Sequence, residues 1–244
     1  MVCAHGFFMD STMFGVLETH LSRQGWRVLS VDARGHGETT VSDPDAPFTY
    51  DDLAADLSAV MDDAGVDSVV LVGMSQGGYS ALRVALAEPA RVRALVLMDT
   101  ESEASNAEQR AGYEELFAAW CDESIPLEPI ARQLAGGLIG GSEQDREPWI
   151  TKWLKSDRPA IRRAADCLIH RTDVTAELPR ITCPALVLRG EFDETSTERK
   201  CAVLVEGLPN ARPQVTIEGA GHGACVTHSD AVNAAVGDFL STLG

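Results

Sequence analysis

Short apolar runs punctuate this chain at 1–4, 27–31, 68–72, 93–98, 185–189 and 214–217, and each closes in a Gly- or Asp-containing loop before a helical pattern begins. Runs so rich in β-branched and other apolar side chains are what strands covered on both faces require. The alternation of strand and helix predicts an α/β protein on a mostly parallel sheet of about six strands. Between Asp99 and Pro184 the alternation stops, and segments 108–121, 127–138, 148–155 and 158–171 read as helices instead. Pro126, Pro129, Pro148 and Pro159 stand near the starts of those segments, where a missing N–H does no harm. With no repeat or low-complexity linker in view, 100–183 is expected to be a helical cap inserted in a core formed by 1–99 and 184–244.

Composition narrows the partners. The 244 residues carry 20 Lys+Arg against 37 Asp+Glu, a net charge of −17, so a nucleic acid or an anionic membrane surface would be repelled before contact. The longest apolar runs, 69–72 and 94–98, are far too short to span a bilayer. Cys3, Cys121, Cys167, Cys183, Cys201 and Cys225 are scattered without C-x-x-C or zinc-ligand spacing. They read as reduced, buried thiols, with neither a metal site nor a disulfide framework. No basic-then-apolar leader opens the chain, and a cytoplasmic protein acting on a small molecule is expected.

The candidate chemistry begins at Gly73-Met74-Ser75-Gln76-Gly77-Gly78, which lies between the apolar run 68–72 and a helical pattern. A sharp strand-to-helix turn there lifts the Ser75 hydroxyl above the sheet, and the crowded backbone leaves room only for glycine at 73 and 77. A serine hydroxyl is a weak nucleophile at neutral pH and needs a base, which in turn needs a group that fixes its tautomer. His222, in Gly219-Ala220-Gly221-His222-Gly223 after the last strand, is the candidate base, with His228 as its competitor. Asp193, just after the strand at 185–189, is the candidate acid, and Asp99 at the end of the preceding strand is a rival. His5-Gly6-Phe7-Phe8 closes the first strand, where a backbone N–H can share an oxyanion with the N–H of Gln76.

Taken in order, His5-Gly6, Asp32-Ala33-Arg34-Gly35-His36-Gly37, the Ser75 motif, Gly190-Glu191-Phe192-Asp193 and Gly221-His222 resemble the α/β-hydrolase superfamily across nearly the whole chain. The resemblance implies the α/β-hydrolase fold, with Ser75 as nucleophile, Asp193 as orienting acid and His222 as general base. It also implies the amides of Phe7 and Gln76 as oxyanion donors, Asp32, Arg34 and His36 as mainly structural, and no cofactor. Serine at the nucleophile position argues against the haloalkane dehalogenase and epoxide hydrolase branches. The chain looks most like small capped esterases and enol-lactonases of the 3-oxoadipate type. Members usually carry two strands before the His-Gly strand. Here His5 stands four residues from the start, which leaves the strand at 27–31 as an exposed edge able to pair in a homodimer.

Met74 beside the serine, and Trp120, Trp149 and Trp153 in the cap, are candidate substrate-contacting residues, although aromatic cap residues also serve to pack helices. Arg158, Arg162, Arg163 and Arg171 are expected on a solvated face, with carboxylate binding as their alternative. The expected activity is hydrolysis of a small ester or lactone through an acyl-enzyme. Carbon–carbon bond hydrolysis, cofactor-free haloperoxidase or perhydrolase chemistry, and a non-catalytic receptor on the same fold are the alternatives.

Overall fold

The computed structural model describes residues 1–41, 43 and 45–243. Six strands, β1 (Val2–Ala4), β2 (Leu29–Val31), β3 (Val69–Met74), β4 (Val92–Met98), β5 (Ala185–Gly190) and β6 (Val215–Ile217), form one sheet in the order β2-β1-β3-β4-β5-β6. Every pairing is parallel, as the unbroken apolar runs require, and β2 is the edge strand expected there. β3 runs two residues further than its apolar run, so Gly73 and Met74 are still paired with Leu97 and Met98 when the turn at Ser75 begins.

The period of two along each strand sorts the core into two layers. Val70, Val72, Met74, Val96 and Met98 face α1 (Gly15–Arg23) and α10 (Ser229–Leu240) through Leu21, Val236 and Phe239, with Phe14 just ahead of α1 in the same cluster. Leu71, Leu95, Leu97 and Val187 face α2 (Tyr50–Asp63), α3 (Gln76–Ala87) and α8 (Glu198–Gly207) through Leu57, Met61, Leu82 and Leu204. A sheet sandwiched this way turns its strand ends outward, and β1, β3, β4, β5 and β6 run directly into the loops that hold His5–Phe8, Ser75, Asp99, Asp193 and His222.

Between β4 and β5 lie α4 (Ala107–Cys121), α5 (Leu127–Leu138), α6 (Glu143–Trp153) and α7 (Arg162–Ile169). Two of these differ from expectation. α6 starts five residues before Pro148, because a capping box between Ser142 and Asp145 nucleates it there and leaves the proline inside the helix. The pattern over 158–171 breaks into a 3-10 turn, Arg158–Ile161, that begins with Pro159 at its second position, and then α7. α9 (Ala224–Thr227) is a single turn after the His222 loop. Among the described residues no helix is long and apolar enough to cross a membrane, and no cluster of His, Cys, Asp or Glu is placed to hold a metal ion.

Candidate active site

Ser75 sits at φ 51°, ψ −116°, a left-handed backbone that a residue with a side chain rarely adopts. The turn is held because Ser75 N–H donates to the Met98 carbonyl at 2.9 Å, while its own carbonyl accepts from Tyr79 N–H at 3.1 Å and from Thr100 Oγ1 at 2.6 Å. The flanking glycines are steric necessities. A Cβ on Gly73 would lie 2.4 Å from the Gly77 carbonyl oxygen, and one on Gly77 would lie 2.0 Å from the Ala4 carbonyl oxygen.

His222 is 3% exposed, and its Nδ1 lies 2.9 Å from Asp193 Oδ2. The other oxygen of Asp193 accepts from the amides of Thr195 at 2.8 Å and Ser196 at 3.0 Å. Burial opposes the charge on Asp193, but His222 and these amides outweigh it and hold the carboxyl below its ordinary value. The carboxylate thus fixes His222 as the Nδ1–H tautomer and leaves Nε2 as the free base. Ser75 and His222 line one cavity of about 110 Å³ with Phe7, Phe117, Leu138 and Leu168. Larger clefts of about 1000 and 640 Å³ open elsewhere, lined around Arg34 and Lys152, and neither contains Ser75 or His222. The small cavity is the one that brings Ser75 and His222 together.

Asp99 also reaches this end of the sheet, but in a different state. It is 1% exposed at φ 47°, its Oδ1 accepts from Gly190 N–H at 2.7 Å, and its Oδ2 has no partner. Burial, and then the neighbouring negative charge of Asp193, push its carboxyl well above the ordinary value. Two carboxyls meet here and their environments drive them apart, so Asp193 is the ionised member and Asp99 the protonated one. The competitor histidine, His228, is engaged with Thr227 Oγ1 at 2.9 Å through its Nδ1.

The loop after β1 is clamped by two histidines. His36 Nε2 accepts from Phe8 N–H at 3.2 Å and its Nδ1 meets the Arg34 carbonyl at 3.1 Å. His5 Nε2 accepts from Ala33 N–H at 2.9 Å and its Nδ1 meets the Gly6 carbonyl at 2.8 Å. Each ring accepts at Nε2 and donates at Nδ1, so both are neutral, and burial together with the neighbouring His5 pushes His36 down to about 3. Phe8 is strained at φ 63°, and its carbonyl accepts the Trp153 indole N–H at 2.6 Å. Phe8 is thereby tied at both its amide and its carbonyl, and Phe7, just before it, lines the cavity of Ser75 and His222. Gln76 is the first residue of α3, where a backbone N–H has no intrahelical acceptor.

The remaining residues expected to contact substrate lie elsewhere. Met74 is fully buried beneath the turn, and Trp120 and Trp153 pack on Phe8 with ring centroids 4.3 and 6.1 Å away. Trp149 lies in the same apolar cluster, with Lys152 Nζ 4.6 Å from its ring centre. None of the four lines the cavity of Ser75. The helices between β4 and β5 contribute Tyr113, Leu116 and Phe117 from α4, Leu134 and Leu138 from α5, and Leu168 from α7. Arg171 is the other departure: instead of standing on a solvated face it is buried and lines the cavity.

A sequence model of the alpha/beta hydrolase family matches residues 1–235. The chain belongs to that family. As a member it is a hydrolase. It is similar to the AB hydrolase superfamily protein YisY of Bacillus subtilis, 26% identical over 255 aligned residues that cover 99% of this chain and 91% of that one. Among solved structures it is similar to a thermophilic esterase from Thermogutta terrifontis, with TM-score 0.88 and 27% identity, covering 99% of this chain and 89% of that one. The enol-lactonase from Burkholderia xenovorans LB400 shares the fold at TM-score 0.85 and 24% identity, covering 98% and 90%.

Proposed function

We propose that this hydrolase cleaves short carboxylic esters or lactones through an acyl-enzyme on Ser75. The observation that carries the assignment is the strained Ser75 facing the same cavity as a buried His222 whose tautomer Asp193 fixes at 2.9 Å. His222 Nε2 takes the hydroxyl proton as Ser75 Oγ attacks the carbonyl carbon, and the amides of Phe7 and Gln76 receive the oxyanion. The tetrahedral adduct collapses as His222 gives that proton to the leaving oxygen, releasing an alcohol or, for a lactone, opening the ring. Water then repeats the sequence on the acyl-serine and frees the acid. A cavity of about 110 Å³, well below the ~300 Å³ of common ligand clefts, favours an acyl group of a few carbons, and residues 100–183 act as the cap that sets this length.

The test is turnover of p-nitrophenyl esters of increasing chain length and of five- and six-membered lactones by wild type, Ser75→Ala and His222→Ala. Hydrolysis confined to short acyl groups and abolished in both variants is the expected result. Hydrolysis that persists in Ser75→Ala would overturn the acyl-enzyme, and a folded wild-type protein inert to the whole panel would overturn the activity.

A further inference from the structure

The cavity beside Ser75 has one charged end. Arg171 and Glu101 both line it, their side chains are each 5% exposed, and Arg171 Nη2 lies 2.5 Å from Glu101 Oε1. The second oxygen of Glu101 is taken by Lys200 Nζ at 2.7 Å, on a side chain only 10% exposed. One carboxylate therefore serves two cations, and the cluster carries a surplus positive charge. The acids around it do not cancel that charge. Glu103 is bound to Arg199 nearer the surface, Asp193 is bound to His222, and Asp99 is turned to the Gly190 amide.

Arg171 is also incompletely satisfied. Its Nε is buried without a partner, while the guanidinium carbon sits 5.4 Å from the centre of the Tyr79 ring. A buried guanidinium with an unused N–H and only half a counter-ion is costly by itself, and its planar fork matches a second carboxylate. In a chain of net charge −17, such a local positive surplus attracts an anion only where it is built in, and here it is built into the wall of the reaction cavity.

Building on the proposed ester or lactone hydrolysis at Ser75, we propose that this end of the cavity is an anion subsite: the substrate carries a free carboxylate remote from its scissile carbonyl, and Arg171 receives it. Lys200 offsets Glu101 from behind and leaves Arg171 with charge to spare. Among the other lining residues, Phe7, Phe117, Leu134 and Leu138 give the cavity an apolar wall that suits the short apolar span between the two carbonyl groups of such a substrate.

Two acyl groups of similar length separate the possibilities, p-nitrophenyl hemisuccinate and p-nitrophenyl butyrate. Wild type is expected to favour the hemisuccinate in kcat/KM by about tenfold or more, the discrimination of one charge-assisted hydrogen bond. Lys200→Gln removes the surplus charge and should bring the ratio near one, whereas Glu101→Gln adds to the surplus and should raise it. Opposite movements are the signature, because damage to packing lowers both substrates together. Should Glu101→Gln fail to fold, the Lys200→Gln ratio decides alone. Calorimetry with succinamate against butyramide, neither of which carries an activated leaving group, reads the subsite without turnover. Tighter succinamate binding that weakens in Lys200→Gln supports the subsite even if both esters are inert, an outcome that would defeat the proposed hydrolysis instead. Equal handling of both esters and both amides, or a ratio unmoved by Lys200→Gln, would overturn the subsite.

Discussion

Replacing one or the other of two carboxyls by its amide separates their roles. Asp193 is ionised and holds His222 Nδ1 at 2.9 Å. In Asp193→Asn the two amides of Thr195 and Ser196 still find an acceptor, but the group that fixed the tautomer and stabilised the imidazolium is gone. Loss of the orienting acid costs on the order of 10⁴ in kcat in triad enzymes, or about 5 kcal/mol at ~1.36 kcal/mol per decade. Asp99 behaves differently. Its protonated carboxyl is nearly isosteric with an asparagine, whose oxygen keeps the Gly190 N–H bond now at 2.7 Å and whose NH₂ replaces the acid proton beside Asp193. Asp99→Asn should therefore change kcat by less than about tenfold, within one charge-neutral hydrogen bond.

Stability supplies an independent check on the same pair. The folded Asp99 keeps its proton beyond the ordinary carboxylate range, so at this one site the native state binds more protons than the unfolded chain. Its stabilising contribution is complete below the ordinary value of about 3.9 and is lost as pH rises. Asp99→Asn should flatten that decline in urea melts at pH 5 to 8. Steady-state rates on p-nitrophenyl butyrate, together with those melts, read both effects. If Asp99→Asn lost several orders of magnitude while Asp193→Asn kept near-full rate, the acid would be Asp99 and the two ionisation states would be reversed.

Four further outcomes follow from the structure. His36→Ala removes the acceptor of the Phe8 amide at 3.2 Å and should lower kcat by about 10–100-fold, short of the 10²–10³ for outright loss of an oxyanion donor, with KM nearly unchanged. Because His36 stays neutral down to about 3 when folded, its stabilising contribution is present above the ordinary value of ~6.5 and is lost as pH falls towards 3, so the same variant should show a shallower acid-side loss of stability. Gly77→Ala places a Cβ 2.0 Å from the Ala4 carbonyl, and equilibrium unfolding in urea should record a loss of at least ~2 kcal/mol. Burial raises Cys3 and Cys201 to about 12 and Cys183 to about 11, so iodoacetamide at pH 8 should leave these thiols unmodified until the chain is unfolded, by mass.

The sheet, its strand order at the edge and the turn at Ser75 were legible because each has a local cause. Apolar runs of strand length cannot face water, and the glycines at 73 and 77 have no steric alternative. His222 and Asp193 could be picked out by their places after the last two strands, but Asp99 stood as a rival because only the folded surroundings set the protonation of two such carboxyls. The cap was harder. Its tryptophans form an apolar, helical pattern whether they pack on Phe8 or line a pocket, and the choice depends on how α4 and α6 meet the loop after β1. Arg171 looks like any basic residue at a helix end, and its burial follows from Glu101 and Lys200, which lie 70 and 29 positions away in the chain. Nothing local in the sequence announces that cluster; a pairing search among Arg, Glu and Lys near the strand ends is the signal that would have found it.

Labelling with a fluorophosphonate, read by intact mass on wild type and Ser75→Ala, tests the central assignment most directly. An activated Ser75 attacks phosphorus, His222 takes the hydroxyl proton and fluoride leaves, so wild type should gain one label and Ser75→Ala none. A folded wild-type protein that stays unlabelled, or a Ser75→Ala protein that takes up the label equally, would contradict Ser75 as the nucleophile.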